Sequence, residues 1–556
     1  MNPPIHAGAA SIVSGVDRGR RQRALTGLLD AITTSDLEDW LGRPAAADLA
    51  YDGGLRVLAT TLSLRWQDAW ELGRSLDVPG EDDLDGRWLH LAALAWASSG
   101  DPRPGSGEPL DPLEAERLPD VAYPLGRFAG YVAVEAAMAH GRLDLADDLV
   151  DRLGADLWTP LGHPFDAMVV ACRARLLTFR GDVAAACVVL DAAAEPVPGS
   201  SPEVILAGTE CLVRGNDAEP ADVRRLAALV QVRAAEPRDL LGAGSQMLAA
   251  FGLIAVGDVV EAVRRLLVAG RDADLSALNV IDRALGLELL VALAAAEGNT
   301  DDAEVWRDRA LPLLGSPMAD STVARLLSRV ELLAGRPAEA VAWAEQAVER
   351  ARAADRGIEA AEGEIVLSRA RLALRGPGDR ARAVRGLERM VAEAESRGHR
   401  AARSSAARAL RPLGQRLRPL SGSGWAGLTG REAEVARAVA DGATNAEIAR
   451  RLTLSEHTVR AHVSRVLAAF GVAGRSALPA ALGPTGYAPE LARLTPRQTE
   501  VADLVAEGLA NQAIARSLGL STRTVERHVS DILLRWGLSS RTELARAKLH
   551  GPVRAP

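Results

Sequence analysis

At 556 residues the chain is too long for one compact core, and at roughly 150 residues per domain it calls for three or four units unless it runs as a continuous helical array. Hydrophobic residues make up 48% and charged residues 25%, but aromatics are only 3% and alanine carries much of the apolar share, which favours packed helices over sheets. The formal net charge of −8 excludes a polycation that coats nucleic acid, so any DNA-binding surface has to be local.

The first stretch, Met1 to Gly15, is expected to lack structure. It has no basic segment followed by an apolar core, and no run of about 18 apolar residues occurs anywhere, so a cytoplasmic protein with no membrane partner is expected. Residues 1–99 read as an irregular helical region in which the Trp-bearing segment Leu62 to Trp70 belongs to the core. From residue 100 to 396 a turn signal recurs, glycine followed five residues later by alanine: Gly141/Ala146, Gly181/Ala186, Gly257/Ala262, Gly298/Ala303 and Gly335/Ala340. Weaker members at Gly100, Gly215 and Gly376 give a period of roughly 40 residues, within the range of helical repeat arrays.

The physical reading is a helix, a glycine in a left-handed conformation, and a second helix whose small alanine permits close packing. The stripe Ala340, Val341, Ala344, Val348 supports it by period. The turn resembles that of tetratricopeptide repeats, although the period exceeds the usual 34 and the aromatic positions are mostly absent. The plainer alternative is an alanine-rich bundle. Cys172, Cys187 and Cys211 lie in apolar helical surroundings without CxxC spacing and read as small buried hydrophobes, not as a zinc site or a disulfide frame.

Between Arg397 and Arg431 there is no acidic residue, while Arg397, Arg400, Arg403, Arg408, Arg411, Arg416 and Arg418 precede a Ser421-Gly422-Ser423-Gly424 break. Residues 397–427 therefore read as a last helix plus a basic linker, either a solvated face or a phosphate contact. Lys548 is the only lysine, and it lies outside any glycine-rich turn. A Walker A loop, whose lysine must reach the β/γ-phosphates, is excluded, as is a receiver domain with its lysine beside the phosphoacceptor aspartate. No enzymatic activity, cofactor or metal is expected.

Residues 428–478 and 494–544 align without a gap at an offset of about 66, with roughly half of the positions identical, so the second is a duplicate of the first. The modules are taken to span 428–482 and 494–550, joined by 483–493. In each, a Thr-x-x-Glu/Gln box (Thr429/Glu432, Thr495/Gln498) opens a first helix that ends at Gly442 or Gly508. Asn445–Leu452 and Asn511–Leu518 form a second helix, and Leu454 and Leu520 plug the following turn. Ser455 and Ser521 cap a third helix.

One face of that third helix is apolar, Val459, Val463, Val466 and Phe470 in the first copy and Val525, Val529, Ile532 and Trp536 in the second. The other is polar, with His457, Arg460, Ala461 and Ser464 against Arg523, Glu526, Arg527 and Ser530. Gly471 and Gly537 end it, and a fourth helix follows Arg475 or Arg541, with Pro479 early in the first of these. His462 and His528 stand without a ligand partner and read as structural or phosphate-facing.

LTxRExEV, GxxNxxIAxxLxLSxxTVxxHV and GVxxR resemble the LuxR/NarL-type helix-turn-helix, over about 50 residues in each copy. The resemblance implies an all-α fold: a tetratricopeptide-like solenoid followed by two four-helix modules, each placing its third helix in the major groove. It implies base reading by Arg460, Ala461, Ser464, Glu526, Arg527 and Ser530. Phosphate contacts are implied for Thr444, Asn445, Ser455, Thr458, Arg465, Asn511, Ser521, Arg523 and Thr524. The implied protein is a bacterial transcription regulator that takes double-stranded DNA as partner, RNA polymerase or other regulatory proteins as contacts, and a peptide or small-molecule effector on the repeats. Dimerisation through the fourth helix would make a homodimer. The helical region is similar to that of large MalT-like regulators, without their ATPase. The alternative is a repeat scaffold whose modules no longer bind DNA.

Overall fold

The computed structural model describes residues 6–43, 49–100, 110–272, 274–317, 319–415, 417, 428, 430–472, 474–481, 496–506, 509–518, 520–536, 541, 544 and 548. Among them regular structure is entirely helical, as the composition predicts, and the chain divides into two compact units, 1–415 and 416–556. The start of the chain departs from expectation, because His6–Thr34 is one helix, with only residues 1–5 outside the description.

In the first unit, helices come in pairs. Pro124–Ala139 pairs with Leu143–Leu153, Asp166–Phe179 with Val183–Asp191, Ser201–Asn216 with Pro220–Arg233, and Leu240–Ala255 with Val259–Gly270. Val280–Glu297 then pairs with Thr300–Ala310, Asp320–Leu333 with Pro337–Ala353, and Gly357–Leu374 with Asp379–Arg397. The five strong turn glycines all take positive φ, between 68° and 89°, where a β-carbon would be strained. The alanine five residues on is fully buried each time, at Ala146, Ala186, Ala262, Ala303 and Ala340. The weaker members read differently: Gly215 stays helical and Ala218 takes the left-handed turn, while near Gly376 the turn falls to Arg375 and Gly378. The pairing also continues upstream of residue 100, with Leu49–Leu62 against Trp66–Ser75.

The array winds round and meets itself at pairs five places apart. Val280 N–H donates to Ser99 O (2.9 Å), and Arg180 bonds Asp355 (2.6 Å). Gly357 approaches so closely that a β-carbon would lie 2.1 Å from Arg180 O. The basic run supplies the next contacts. Arg397 donates to Arg180 O (2.5 Å), Arg400 pairs with Asp217 (3.2 Å), and Arg403 bonds Glu395 (2.6 Å), all from or beside helix Arg400–Leu410. All three arginines are thus engaged within the helical unit, Arg403 nearly buried and Arg397 and Arg400 still partly open to solvent. Arg408 bonds Ser405 and Arg411 lies in a 3-10 turn, whereas Arg416 and Arg418 lie outside the described residues.

His399 completes the seam, donating from Nε2 to Asn216 Oδ1 at 2.8 Å, and burial pushes its pKa down to about 4. The unfolded chain takes up this proton near pH 6.5 and the folded chain only near 4, so stability drops as pH falls through that window, by about 1.4 kcal/mol per unit. His399→Gln, which can still donate, is expected to show a flatter dependence of the urea midpoint between pH 6.5 and 4.5. Equal slopes for both proteins would mean that the seam opens before the histidine titrates.

Cys172 and Cys211 are fully buried, but Cys187 is only half-buried, so the expectation of three buried thiols holds for two. Burial pushes the Cys187 thiol up to about 11 and that of Cys211 up to about 12, which leaves them protonated and unreactive at neutral pH.

Candidate nucleic-acid interface

Each module of the second unit is built round a small core. In the first, Val435, Ala436, Val439, Ile448, Val459 and Val466 are buried; in the second, Val501, Ala502, Val505, Ile514, Val525 and Ile532 take the equivalent places. Leu454 and Leu520 pack against these cores as expected, and Gly442 and Gly471 take positive φ. Thr429, Thr495, Gly508 and Gly537 lie outside the described residues, so the capping boxes that they would open and the ends that they would make stay as expectations.

The third helices run Glu456–Ala469 and Thr522–Trp536. At the start of each, the serine oxygen accepts from the backbone N–H three residues on, Thr458 or Thr524, at 3.1 Å in both, and the two hydroxyls lie 2.7 Å apart. The first turn thus presents paired hydroxyls and free N–H groups, an arrangement suited to a phosphate. Val459, Val463 and Val466, like Val525, Val529 and Ile532, face the core; Phe470 packs at its edge. The side chains of Trp536 and Ser530 are outside the described residues. Arg460 and Ser464 in the first copy, and Arg523, Glu526 and Arg527 in the second, are exposed on the opposite face, with Ala461 half-exposed beside them.

Not every expected phosphate ligand is free. Arg465 donates to Glu432 Oε1 (2.7 Å) and to Ala461 O (3.2 Å), holding a nearly buried carboxylate, and His462 Nδ1 lies 3.7 Å from the same oxygen. In the second copy Gln498 and Asp531 occupy these two positions. Asn445 and Asn511 have their side-chain oxygens engaged by Arg475 (2.6 Å) and Arg541 (2.7 Å), so a phosphate contact from either would have to come from its amide N–H groups. The same arginines bond Ala443 O and Leu509 O, so each ties the end of its module to the entry of the second helix. Burial lowers both guanidinium pKa values. Arg431 and Arg497 bond Leu452 O and Leu518 O at the other end of that helix.

The copies differ at the second helix's start. Thr444 and Glu447 form a capping box, and the Thr444 N–H holds the Glu447 carboxyl below its ordinary range. Ala510 and Ala513 replace them, a loss worth about 1 kcal/mol of local stability. Pro479 is buried in the short helix Leu478–Ala481, after a 3-10 turn at Arg475–Ala477, where its ring is tolerated near a helix start. Lys548 pairs with Asp503 at 3.0 Å.

Residues 426–480 and 492–547 each match the bacterial regulatory proteins of the luxR family, and both segments are helix-turn-helix domains of that type. The chain is 50% identical over 58 residues to the response regulator Rre1 of Synechocystis, a match covering 10% of this chain and 25% of that protein. It is 43% identical over 53 residues to the nitrate/nitrite response regulator NarL of Escherichia coli, covering 10% and 24%. With the two-component response regulator PprB of Pseudomonas aeruginosa it shares 44% over 59 residues, covering 11% and 22%. The chain thus spans about a quarter or less of each of these relatives.

Proposed function

We propose that the protein is a bacterial, cytoplasmic transcription regulator that binds duplex DNA sequence-specifically through both modules and acts by binding, not catalysis. The helical unit serves as its sensing or protein-contact part. The observation that carries this reading is the pattern of sameness between the copies. The internal clamps (Arg431/Arg497, Arg475/Arg541) and caps (Ser455/Ser521) are identical, while the exposed recognition positions differ, Arg460-Ala461 against Glu526-Arg527. A scaffold without DNA would need the clamps but not the polar recognition faces. RNA polymerase or other regulatory proteins are the natural further contacts, and a fourth-helix homodimer the natural assembly.

One observation favours the scaffold reading for the second module alone: Asp531 and Glu526 stand where the first module has Arg465 and Arg460. Titrating the full chain against genomic duplex fragments at several salt concentrations tests the proposal. Specific binding that weakens with salt in proportion to the phosphates neutralised is expected. Absence of any binding at about 50 mM salt, where electrostatic binding is strongest, would sink it in favour of the scaffold.

A further inference from the structure

The first helices of successive pairs face inward, and where the array winds back on itself they enclose a chamber of about 290 Å³. This is close to the lower end of the size range of small-molecule sites. Its wall is mainly apolar and adaptable, with Met138, Phe179, Met247, Phe251 and Leu289 drawn from four helix pairs. Five carboxyl and four guanidinium groups interrupt that wall.

Most of these charges are consumed by one another. Glu135 bonds Arg175 at 2.5 Å, Glu288 holds Arg325 through both oxygens at 2.9 and 2.5 Å, and Glu359 takes Arg325 at 3.0 Å and also pairs with Arg356. Arg329 shares Glu288 at 3.3 Å. Among the described residues two carboxyls stand apart from these pairs, Glu362, which is exposed to solvent, and Asp282, which is not. Among the described residues its side chain bonds only the Asn279 amide, at 3.0 Å, and forms no ion pair with a cation. Burial pushes its pKa up to about 6, and Arg175 offsets that only in part. It is half-buried and lines the chamber. A carboxyl so placed lacks a positive partner, and an apolar wall beside it asks for hydrocarbon.

We propose that the chamber binds a small organic cation, a molecule with a compact apolar body and one basic nitrogen, with the nitrogen on Asp282 and the body against the methionine and phenylalanine wall. The proposal deepens the reading of the helical unit as a sensor and rests on it only for the consequence of binding, not for binding itself. An anionic ligand would have to compete with Glu288 for Arg329 and would face a surplus of carboxylates, so it is the disfavoured occupant.

Isothermal titration of the full chain at pH 7.5 with octylamine, octanol and octanoate, probes of equal chain length and different head charge, tests the site. Octylamine is expected to bind at least tenfold more tightly than octanol, and octanoate not to bind. Asp282→Asn, which keeps the shape and the Asn279 contact, is expected to bring amine and alcohol to equal affinity. Ala292→Trp, which fills the chamber from helix Val280–Glu297, is expected to abolish binding of both. Octanoate binding as tightly as octylamine, an amine preference that survives Asp282→Asn, or octylamine binding untouched by Ala292→Trp would each overturn the proposal, as would no binding at all. If Asp282→Asn fails to fold, the probe series and Ala292→Trp decide alone. DNA affinity measured with and without octylamine separates the two readings. Bound amine with unchanged DNA affinity supports the site and removes the sensing role, whereas intact DNA binding with no amine bound removes only the site.

Discussion

Arg325→Ala is expected to destabilise the helical unit by about 3–5 kcal/mol, the usual cost of removing one member of a buried ion-pair group and stranding the others. Arg325 is 1% exposed and joins Glu288 on helix Val280–Glu297 to Glu359 on helix Gly357–Leu374. Arg325 also accounts for much of why the Glu288 carboxyl lies low, and Arg356 with Arg325 holds that of Glu359 down at about 2. Without Arg325 both carboxylates lose a main source of their stabilisation and shift toward protonation at a largely desolvated position. Arg325→Lys keeps the charge but not the planar fork, and should recover only part of the loss. Urea denaturation followed by far-UV circular dichroism measures the difference, and a loss below about 1 kcal/mol for Arg325→Ala would show that water reaches and solvates the group.

The sign of the accompanying pH effect follows from the depressed carboxylates. Their contribution is complete above the ordinary glutamate value of 4.5 and fades as pH falls toward about 2. Arg325→Ala should therefore shed part of the wild type's acid sensitivity below pH 4.5 while being less stable at neutrality.

The second large effect concerns DNA. If both modules read bases, a monomer should protect about two turns of duplex, because one recognition helix covers only a few base pairs and neighbouring major-groove faces lie about 34–36 Å apart. Arg460→Ala is expected to weaken specific binding by about 1–3 kcal/mol and relax preference in one half of the footprint, and Arg527→Ala to do the same in the other half. The halves should be unequal, since arginine beside alanine favours guanine, whereas glutamate beside arginine can accept from cytosine N4. Footprinting of a monomeric preparation decides. Protection of one turn, lost with one substitution and indifferent to the other, would leave a single DNA-reading module and give the duplicate another role.

Much of this was legible in the residues because the signals were local. A glycine at positive φ followed by a buried alanine needs no long-range knowledge, and neither does a serine capping a helix with an apolar stripe. Comparison of the two copies also points to Arg475 and Arg541, which in a single copy mark only the start of the fourth helix. An arginine kept in both copies while its exposed neighbours change is being used inside. What was not legible depends on contacts between residues far apart in sequence. The basic run from Arg397 reads as a solvated face or a phosphate contact because the carboxylate and carbonyl that claim it, at Asp217 and Arg180, belong to pairs some 200 residues earlier. Asp282 gave no signal at all, since an acidic residue three places after Asn279 is an ordinary helix start until the chamber behind it is known.

Contacts such as Val280 to Ser99 and His399 to Asn216 also bear on how this architecture can evolve. An open solenoid can gain or lose a unit almost freely, because each unit touches only its neighbours and stability grows roughly as a sum of adjacent terms. Here several units also meet the one five places on, so inserting or deleting a single pair between them would throw those contacts out of phase. The unit count is therefore locked, as the tooth count of a meshed gear is locked by its partner. Lineages of this architecture should change by point substitution inside the chamber and at the recognition helices, and not by expansion of the array.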